Sequence, residues 1–396
     1  MRLGICFFGS IFERTGAGKV VLSFKEGDNI FKSHGISKST IYSLDEEDKD
    51  IIPSPINENK ITNVGKKIIS NLLSFTSIGS YLLVDKLYFG KGERVISKYW
   101  ENLKNDDVLV FHEIYTCSAY IDKCQSKKIT PKPYILILHT NGEIFKMTMI
   151  YYPKLKGSNY EKTLNKRAYR CLKSATKIVF VADEALNNFV SHFPEFESKV
   201  HVVHNGITNI TNNIKPKFDG SVRMVTVGTV NKRKNQILQV EVLAKIRNKC
   251  KVHLDVIGSG DQLEACKIIA KNLGVEDLIT FWGARDDVSQ LLPKCNLFVM
   301  TSYDEGLPIS GIEALRSHLP VILTDVGGNR ELIKQNGFLI RPTMQDLYSA
   351  ILSYSLSIDR QKEMSDNSYN HYLKSFSIES MIGGYCDLIK EMQAYS

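Results

Sequence analysis

Short apolar runs of strand length alternate with helix-length amphipathic stretches through the second half of this chain. RMVTVG (223–228), VHLDVIG (252–258), LITFWG (278–283), LFVMTS (297–302), PVILT (320–324) and GFLI (337–340) are the runs, with stretches such as 235–247 between them. That alternation predicts parallel strands with helices on both faces of the sheet. The first half repeats it less clearly, in LGICFFG (3–9), DVLVFH (107–112), YILILH (134–139) and KIVFVA (177–182). The expectation is an α/β protein of two doubly wound, Rossmann-like domains facing each other across a cleft. The polar stretch 208–221, TNITNNIKPKFDGS, reads as the linker between a domain 1–207 and a domain 222–375. Sheets of this kind bind ligands beyond the carboxyl ends of their strands.

One strand-to-helix unit carries chemistry of its own. TSYDEGLPISGIEAL, Thr301 to Leu315, puts Glu305 in the loop and Glu313 within the predicted helix. Gly306 allows a tight turn, and Pro308 suits the first helical turn, where its missing N–H costs nothing. The unpaired N–H groups of Gly306, Leu307 and Ile309, with the positive end of the helix dipole, suit a phosphate. Two carboxylates beside it can accept hydrogen bonds from sugar hydroxyls. Phosphate donors and sugar acceptors in one turn imply a nucleotide-sugar site.

Composition narrows the class. A chain of 396 residues suits two domains. A hydrophobic fraction of 43% with 24% charged residues is that of a water-soluble globular chain. The eight cysteines are scattered without metal-finger or C-x-x-C spacing, which predicts reduced thiols and a cytoplasmic setting. No apolar run reaches the ~18 residues of a membrane span, and the opening MRLGICFFGSIF reads as a first strand rather than a signal peptide. Charge is uneven: residues 1–200 hold 29 Lys plus Arg against 22 Asp plus Glu, and the remainder 22 against 21. Solubility explains a mild excess; a face for an anionic membrane or a lipid-linked phosphate is the sharper alternative. Nothing in the pattern suggests a nucleic-acid partner.

The resemblance to a known family rests on several segments in order. VVHNGI (202–207), MVTVGTVNKRKNQ (224–236), VIGSGD, FWGARDDV and TDVGGNREL, together with the two glutamates spaced as E-x7-E, are similar to the retaining glycosyltransferases of family 4, which have the GT-B fold. The similarity covers roughly residues 175–342. TGAGKVV (15–21) resembles a Gly-Gly-Ala-Glu-Arg segment with Thr15 in place of a glycine, and Thr229 stands where many relatives have arginine.

The resemblance implies a hexosyl-type transferase that uses a nucleotide-diphosphate sugar, a glycan or lipid-linked acceptor, no metal cofactor and front-face transfer. A setting in surface polysaccharide or glycoconjugate biosynthesis follows, with a final helix (376–396) crossing back to the first domain. Glu305 would lie near the donor sugar, and Lys234 would neutralise the leaving diphosphate, with Arg233 beside it. Glu313 would take the ribose hydroxyls, and His139 a sugar hydroxyl. Gly16 and Gly18, in the loop after the first strand, would let backbone approach phosphate, and Arg285 would lie near the base. Alternatives are a nucleotide-sugar epimerase on the same fold and a non-catalytic nucleotide-sugar-binding protein.

Other features have plainer readings. GAGKV lacks the glycine at 13 and the Ser or Thr at 20 of a triphosphate loop, having Glu13 and Val20. The D-x-D pattern within DEEDKD (45–50) reads as a solvated loop. His112 ends its strand as His139 does, and Glu143 is a candidate for the acceptor side. Ile61, Val64, Ile68, Leu72 and Phe75 fall at helical spacing beside Lys60, Lys66 and Lys67. Core packing is the default for such a stripe, and a basic amphipathic membrane face the alternative.

Overall fold

The computed structural model describes residues 1–11, 16–45, 73–210 and 214–394. The chain divides into two compact units, Met1–Phe180 with Leu186–Val202 and Gly383–Ser396, and Val181–Ala185 with Val203–Ile382. The polar stretch 208–221 falls, where described, within the second unit. The last helix, Ile378–Ala394, begins in the second unit and ends in the first.

The first unit is built on strands β1 (Arg2–Cys6), β2 (Lys38–Tyr42), β3 (Val108–Phe111), β4 (Tyr134–Leu138), β5 (Lys177–Phe180) and β6 (Val200–Val202). They form one parallel sheet in the order β2-β1-β3-β4-β5-β6. The second unit has β7 (Val222–Val227), β8 (Val252–Ile257), β9 (Ile279–Gly283), β10 (Leu297–Met300), β11 (Val321–Thr324) and β12 (Gly337–Ile340). Its sheet is also parallel, in the order β12-β11-β10-β7-β8-β9.

Every residue of β3, β4, β10 and β11 is buried, because helices cover both faces and leave no side for polar residues. β2 and β6, at the sheet edges, are only partly buried and carry Lys38, Ser39, Thr40 and His201. Their sequences, KSTIY and VHV, have no apolar run, so the hydrophobic pattern does not announce them.

Each sheet has one place where the chain reverses its direction of travel. In the second unit it runs outward through β7, β8 and β9, then returns to β10 on the far side of β7. In the first unit β2 and β3 lie on opposite sides of β1. The loops that leave the two strands at such a point part to opposite faces, and the opening between them is the usual ligand position. One glycine makes the turn after β8 possible. A Cβ on Gly258 would stand 1.8 Å from the Gly228 carbonyl oxygen, and its φ of +148° disfavours any side chain.

Among the described residues no helix is long and apolar enough to cross a membrane. Phe75, at the end of the predicted stripe, is 71% exposed, so core packing does not account for it. The rest of that stripe, including Lys60, Lys66 and Lys67, and residues 46–50 of the acidic cluster lie outside the described residues, as do Glu13 and Thr15. Asp45 accepts hydrogen bonds from the Ile11 amide and the Ser43 hydroxyl, both 2.9 Å.

Candidate functional site

The loops leaving β7 and β10 carry the charged centre of the second unit. After β7 the chain makes a turn in which the Lys234 amide donates to Asn231 Oδ1 at 3.0 Å. Asn235 takes the left-handed conformation (φ 53°) and caps the helix Gln236–Ile246, so Arg233 and Lys234 sit in the turn before the helix, not on its first residues. Thr301, at the end of β10, ties the two loops together: its hydroxyl approaches the Asn235 carbonyl at 2.8 Å, and Gln239 donates to it at 2.9 Å.

Into this junction project Lys234, Arg233 and Glu305. Lys234 Nζ lies 2.6 Å from Glu305 Oε1, and Arg233 Nη1 lies 3.2 Å from the same oxygen. Arg233 also donates to the Asp304 carbonyl at 2.5 Å. Glu305 is 7% and the Lys234 side chain 12% exposed, whereas Arg233 keeps 34%. Burial pushes the Lys234 ammonium below its ordinary range, against the pull of Glu305. Burial raises Glu305 too, but Lys234 and Arg233 outweigh it and hold the carboxyl below its ordinary value. Both neighbouring cations thus face one carboxylate, although adjacent residues on a helix would have diverged. The turn brings them together.

The helix that follows begins at Ile309, with Pro308 as its cap rather than in its first turn. Glu313 lies on the buried side of this helix, 9% exposed. Gly306 and Leu307 hold the loop by their carbonyls: the Gly328 backbone amide donates to the Gly306 carbonyl at 2.7 Å, and the Asn205 side-chain Nδ2 to the Leu307 carbonyl at 3.3 Å. Gly327 permits that approach, since a Cβ there would stand 1.8 Å from the Glu305 carbonyl oxygen. Arg285 is committed elsewhere. Its guanidinium engages Asp287 at 2.8 and 2.6 Å on an exposed loop.

In the first unit the reversal point holds two histidines and an acid. His112 follows β3 and His139 follows β4; the rings stack with centroids 5.5 Å apart and a 3.2 Å nitrogen–nitrogen contact. His112 is 1% exposed and meets the edge of Phe24 at 4.9 Å, a core position. Burial lowers both rings, His139 to about 4, so both are neutral at pH 7. Glu113, which the sequence reading passed over, caps the helix Ile114–Lys127. It accepts from the Phe8 and Thr116 amides and the Thr116 hydroxyl, yet burial carries its carboxyl up to about 7. Its place directly after His112 at the end of a buried strand was the available signal. Gly16 and Gly18 prove to be the first and third residues of the helix Gly16–Glu26 rather than loop residues. Gly18 faces its buried side.

Among the described residues, Asp183, His204 and Glu331 form the one grouping with metal-ligand spacing, their ligand atoms within 4.8 Å. Glu331 is already engaged, accepting from the Asp183 amide at 2.7 Å and contacting His204 Nε2. The cysteines are free thiols, all but Cys250 buried.

Two doubly wound parallel sheets of six strands, each with its own reversal point, define the GT-B fold. Residues 209–371, within the second unit, match the family described as glycosyl transferases group 1. The uncharacterized glycosyltransferase MJ1607 of Methanocaldococcus jannaschii is 25% identical over 264 residues, covering 62% of this chain and 64% of that protein. The O-antigen biosynthesis glycosyltransferase WbnH of Escherichia coli is 31% identical over 153 residues, covering 38% of this chain and 42% of its own. The chain thus spans less than two thirds of the length of these curated relatives. Among solved structures, Anabaena Alr3699/HepE in complex with UDP superposes over 99% of this chain and 100% of its own, with TM-score 0.68 and 14% identity.

Proposed function

We propose that this protein is a retaining glycosyltransferase of family 4 that transfers a hexose from a nucleotide-diphosphate donor to a glycan or lipid-linked acceptor in surface polysaccharide biosynthesis. The observation that carries the reading is the buried contact of Lys234 and Arg233 with Glu305 at the reversal point of the second sheet, one short loop before Glu313. A relative solved with UDP and relatives named for O-antigen synthesis support it.

In this reading the bond between the sugar's anomeric carbon and the diphosphate breaks with its electron pair on the diphosphate. The acceptor oxygen forms the new bond on the same face, and its proton passes to the departing phosphate oxygen. Charge therefore grows on the diphosphate, where Lys234 and Arg233 act as fixed counter-charges that need no reorganisation. Glu305 holds the ammonium in place and offers its carboxylate to the sugar as oxocarbenium character develops. Glu313 binds the ribose hydroxyls, and the backbone of Gly306, Leu307, Pro308 and Ile309 lies along the donor. In the first unit, the start of the helix Gly16–Glu26, where Gly16 and Gly18 lie, offers its first amide groups to phosphate, in place of the loop contact the sequence suggests. His139, neutral at physiological pH, both donates to and accepts from a substrate hydroxyl. We assign Arg285 a contact with the donor base that first requires release from Asp287.

Incubating the protein with a panel of nucleotide sugars and an acceptor extract, with mass spectrometry for released nucleotide and glycosylated product and NMR for the product's anomeric configuration, tests the reading. One donor is expected to be consumed in proportion to product with the α or β configuration retained. Inversion, or conversion of the donor without any acceptor, overturns it.

A further inference from the structure

The chain crosses between its two units at 180/181, 185/186, 202/203 and 382/383, and on the second unit's side the crossing segments are Val181–Ala185, 203–207 and 377–382. Two of these hold each other. The Ile207 amide donates to the Phe376 carbonyl and its carbonyl accepts from the Ile378 amide, both at 3.1 Å, while the Gly206 amide meets Met381 Sδ at 3.1 Å. A Cβ on Gly206 would stand 2.2 Å from the Ser377 carbonyl oxygen, so only glycine lets the two segments lie this close.

The crossing segments also hold the loop of Glu305, whose three successive carbonyls are met from outside the loop. The Glu305 carbonyl lies against Gly327, and the Gly306 carbonyl accepts from the Gly328 amide at 2.7 Å. The third carbonyl, on Leu307, lies ahead of the helix ladder, because the Pro308 carbonyl is the first to accept within it, from Gly311 and Ile312. A side chain meets it instead: Asn205, 4% exposed, donates at 3.3 Å. The turn Gly327–Leu332 is itself bound to the crossings. Glu331 Oε1 accepts from the Asp183 amide at 2.7 Å, its other oxygen contacts His204 Nε2, and its carbonyl accepts from His371 Nε2 at 2.7 Å. A Cβ on Gly328 would stand 3.0 Å from Ala182 Cβ, so the turn packs directly on the first crossing segment. The start of the loop is fixed separately, by Thr301 on the Asn235 carbonyl.

We propose that Asn205 and Glu331 are positioning residues for Glu305: they fix the far end of its loop to the crossing segments, and the carboxylate reaches Lys234 only while both hold. Asn205 does so through the Leu307 carbonyl, and Glu331 through the turn under the Glu305 and Gly306 carbonyls. Preorganised charge acts only in the right place, and a misplacement of about 1 Å can cost about 10²-fold in rate. The contribution to turnover rests on the glycosyltransferase reading above; the setting of Glu305 against Lys234 does not.

Trace acetylation of the full chain with acetic anhydride tests it, read at Lys234 by fragment mass spectrometry with exposed Lys267 as internal standard. Release of Glu305 uncovers the Lys234 amine and removes the pull that keeps it charged against burial, so the reactive neutral form grows. Asn205→Ala, Asn205→Asp and Glu331→Ala should each acetylate Lys234 at least about threefold faster, whereas Glu331→Gln, which keeps an oxygen for the Asp183 amide, should stay within about twofold of the parent. The same three variants should lower kcat at least about tenfold. In a Glu305→Gln background they should change the residual rate less than about threefold, since effects that run through one group do not add. Unchanged Lys234 acetylation in variants that melt as the parent does overturns the proposal. A rise shared by every lysine reports general loosening and overturns it too, as do additive losses of rate in the Glu305→Gln background. A parent that turns over no nucleotide sugar, with variants that still uncover Lys234, would sink the glycosyltransferase reading and leave the positioning role standing.

Discussion

The charged centre of the second unit puts two cations on one carboxylate oxygen, 2.6 and 3.2 Å away. Removing Lys234 therefore has two consequences. In the proposed reaction the leaving diphosphate loses a fixed counter-charge, which typically lowers rate by about 10²–10³. Glu305 also loses its nearer partner inside the fold, and breaking a buried pair from one side costs about 3–5 kcal/mol. Arg233 remains, so the lower end of that range is expected for Lys234→Ala, with Lys234→Met paired with Glu305→Gln recovering most of the stability and none of the turnover. Urea unfolding and steady-state rates on the single and double variants check this; full activity in Lys234→Ala would move the role to Arg233. Glu313→Ala should weaken the free nucleotide by roughly one to two decades, since hydrogen bonds to a charged acceptor contribute about 1.5–3 kcal/mol. Calorimetry decides that. Glu113 gives a pH signature. Its folded carboxyl titrates near 7, above the ordinary 4.5, so the folded state binds more protons than the unfolded state between those values. Stability from this group is complete below about pH 4.5 and is lost as pH rises through 7. The difference in stability between the protein and its Glu113→Gln variant should shift in that direction from pH 5 to 8, and a flat difference would show that Glu113 ionises normally.

At the scale of elements, the turns matter more than the helices and strands they join. Gly258 ends β8 against the Gly228 carbonyl, and both residues have φ near +145°. Gly258→Ala should destabilise the second unit by more than about 1 kcal/mol, because the added methyl meets backbone rather than a side chain that can rotate away. Thermal unfolding measures it, with Gly220→Ala as the contrast, strained in φ but with open space around its Cβ. A glycine outside the E-x7-E loop plays the same part: Gly327 accommodates the Glu305 carbonyl, so the carboxylate's position depends on a turn some twenty residues later in the chain.

For the molecule as a whole, the proposed reaction takes its counter-charge to the diphosphate from protein cations, so activity should persist in a chelator such as EDTA. An absolute requirement for Mg²⁺ or Mn²⁺ would count against Lys234 and Arg233 in that role. The apolar runs along the chain marked ten of the strands seen in the two sheets, because a strand buried on both faces is apolar throughout. The edge strands Lys38–Tyr42 and Val200–Val202 stayed hidden, since one side of an edge needs no apolar cover. Glu305 and Glu313 were legible as candidates from short-range turn and helix chemistry, and Lys234 from the family resemblance. Their meeting was not legible. Lys234 and Glu305 are far apart in sequence and touch only because the chain returns to lay β10 beside β7. Burial is set by the same long-range packing, and it is burial that separates His112 in the core from half-buried His139 and carries Glu113 up towards neutrality. Local pattern determined which elements form and which residues could do chemistry; strand order alone decided which of them share a low-dielectric site, where charges hold one another strongly enough to act.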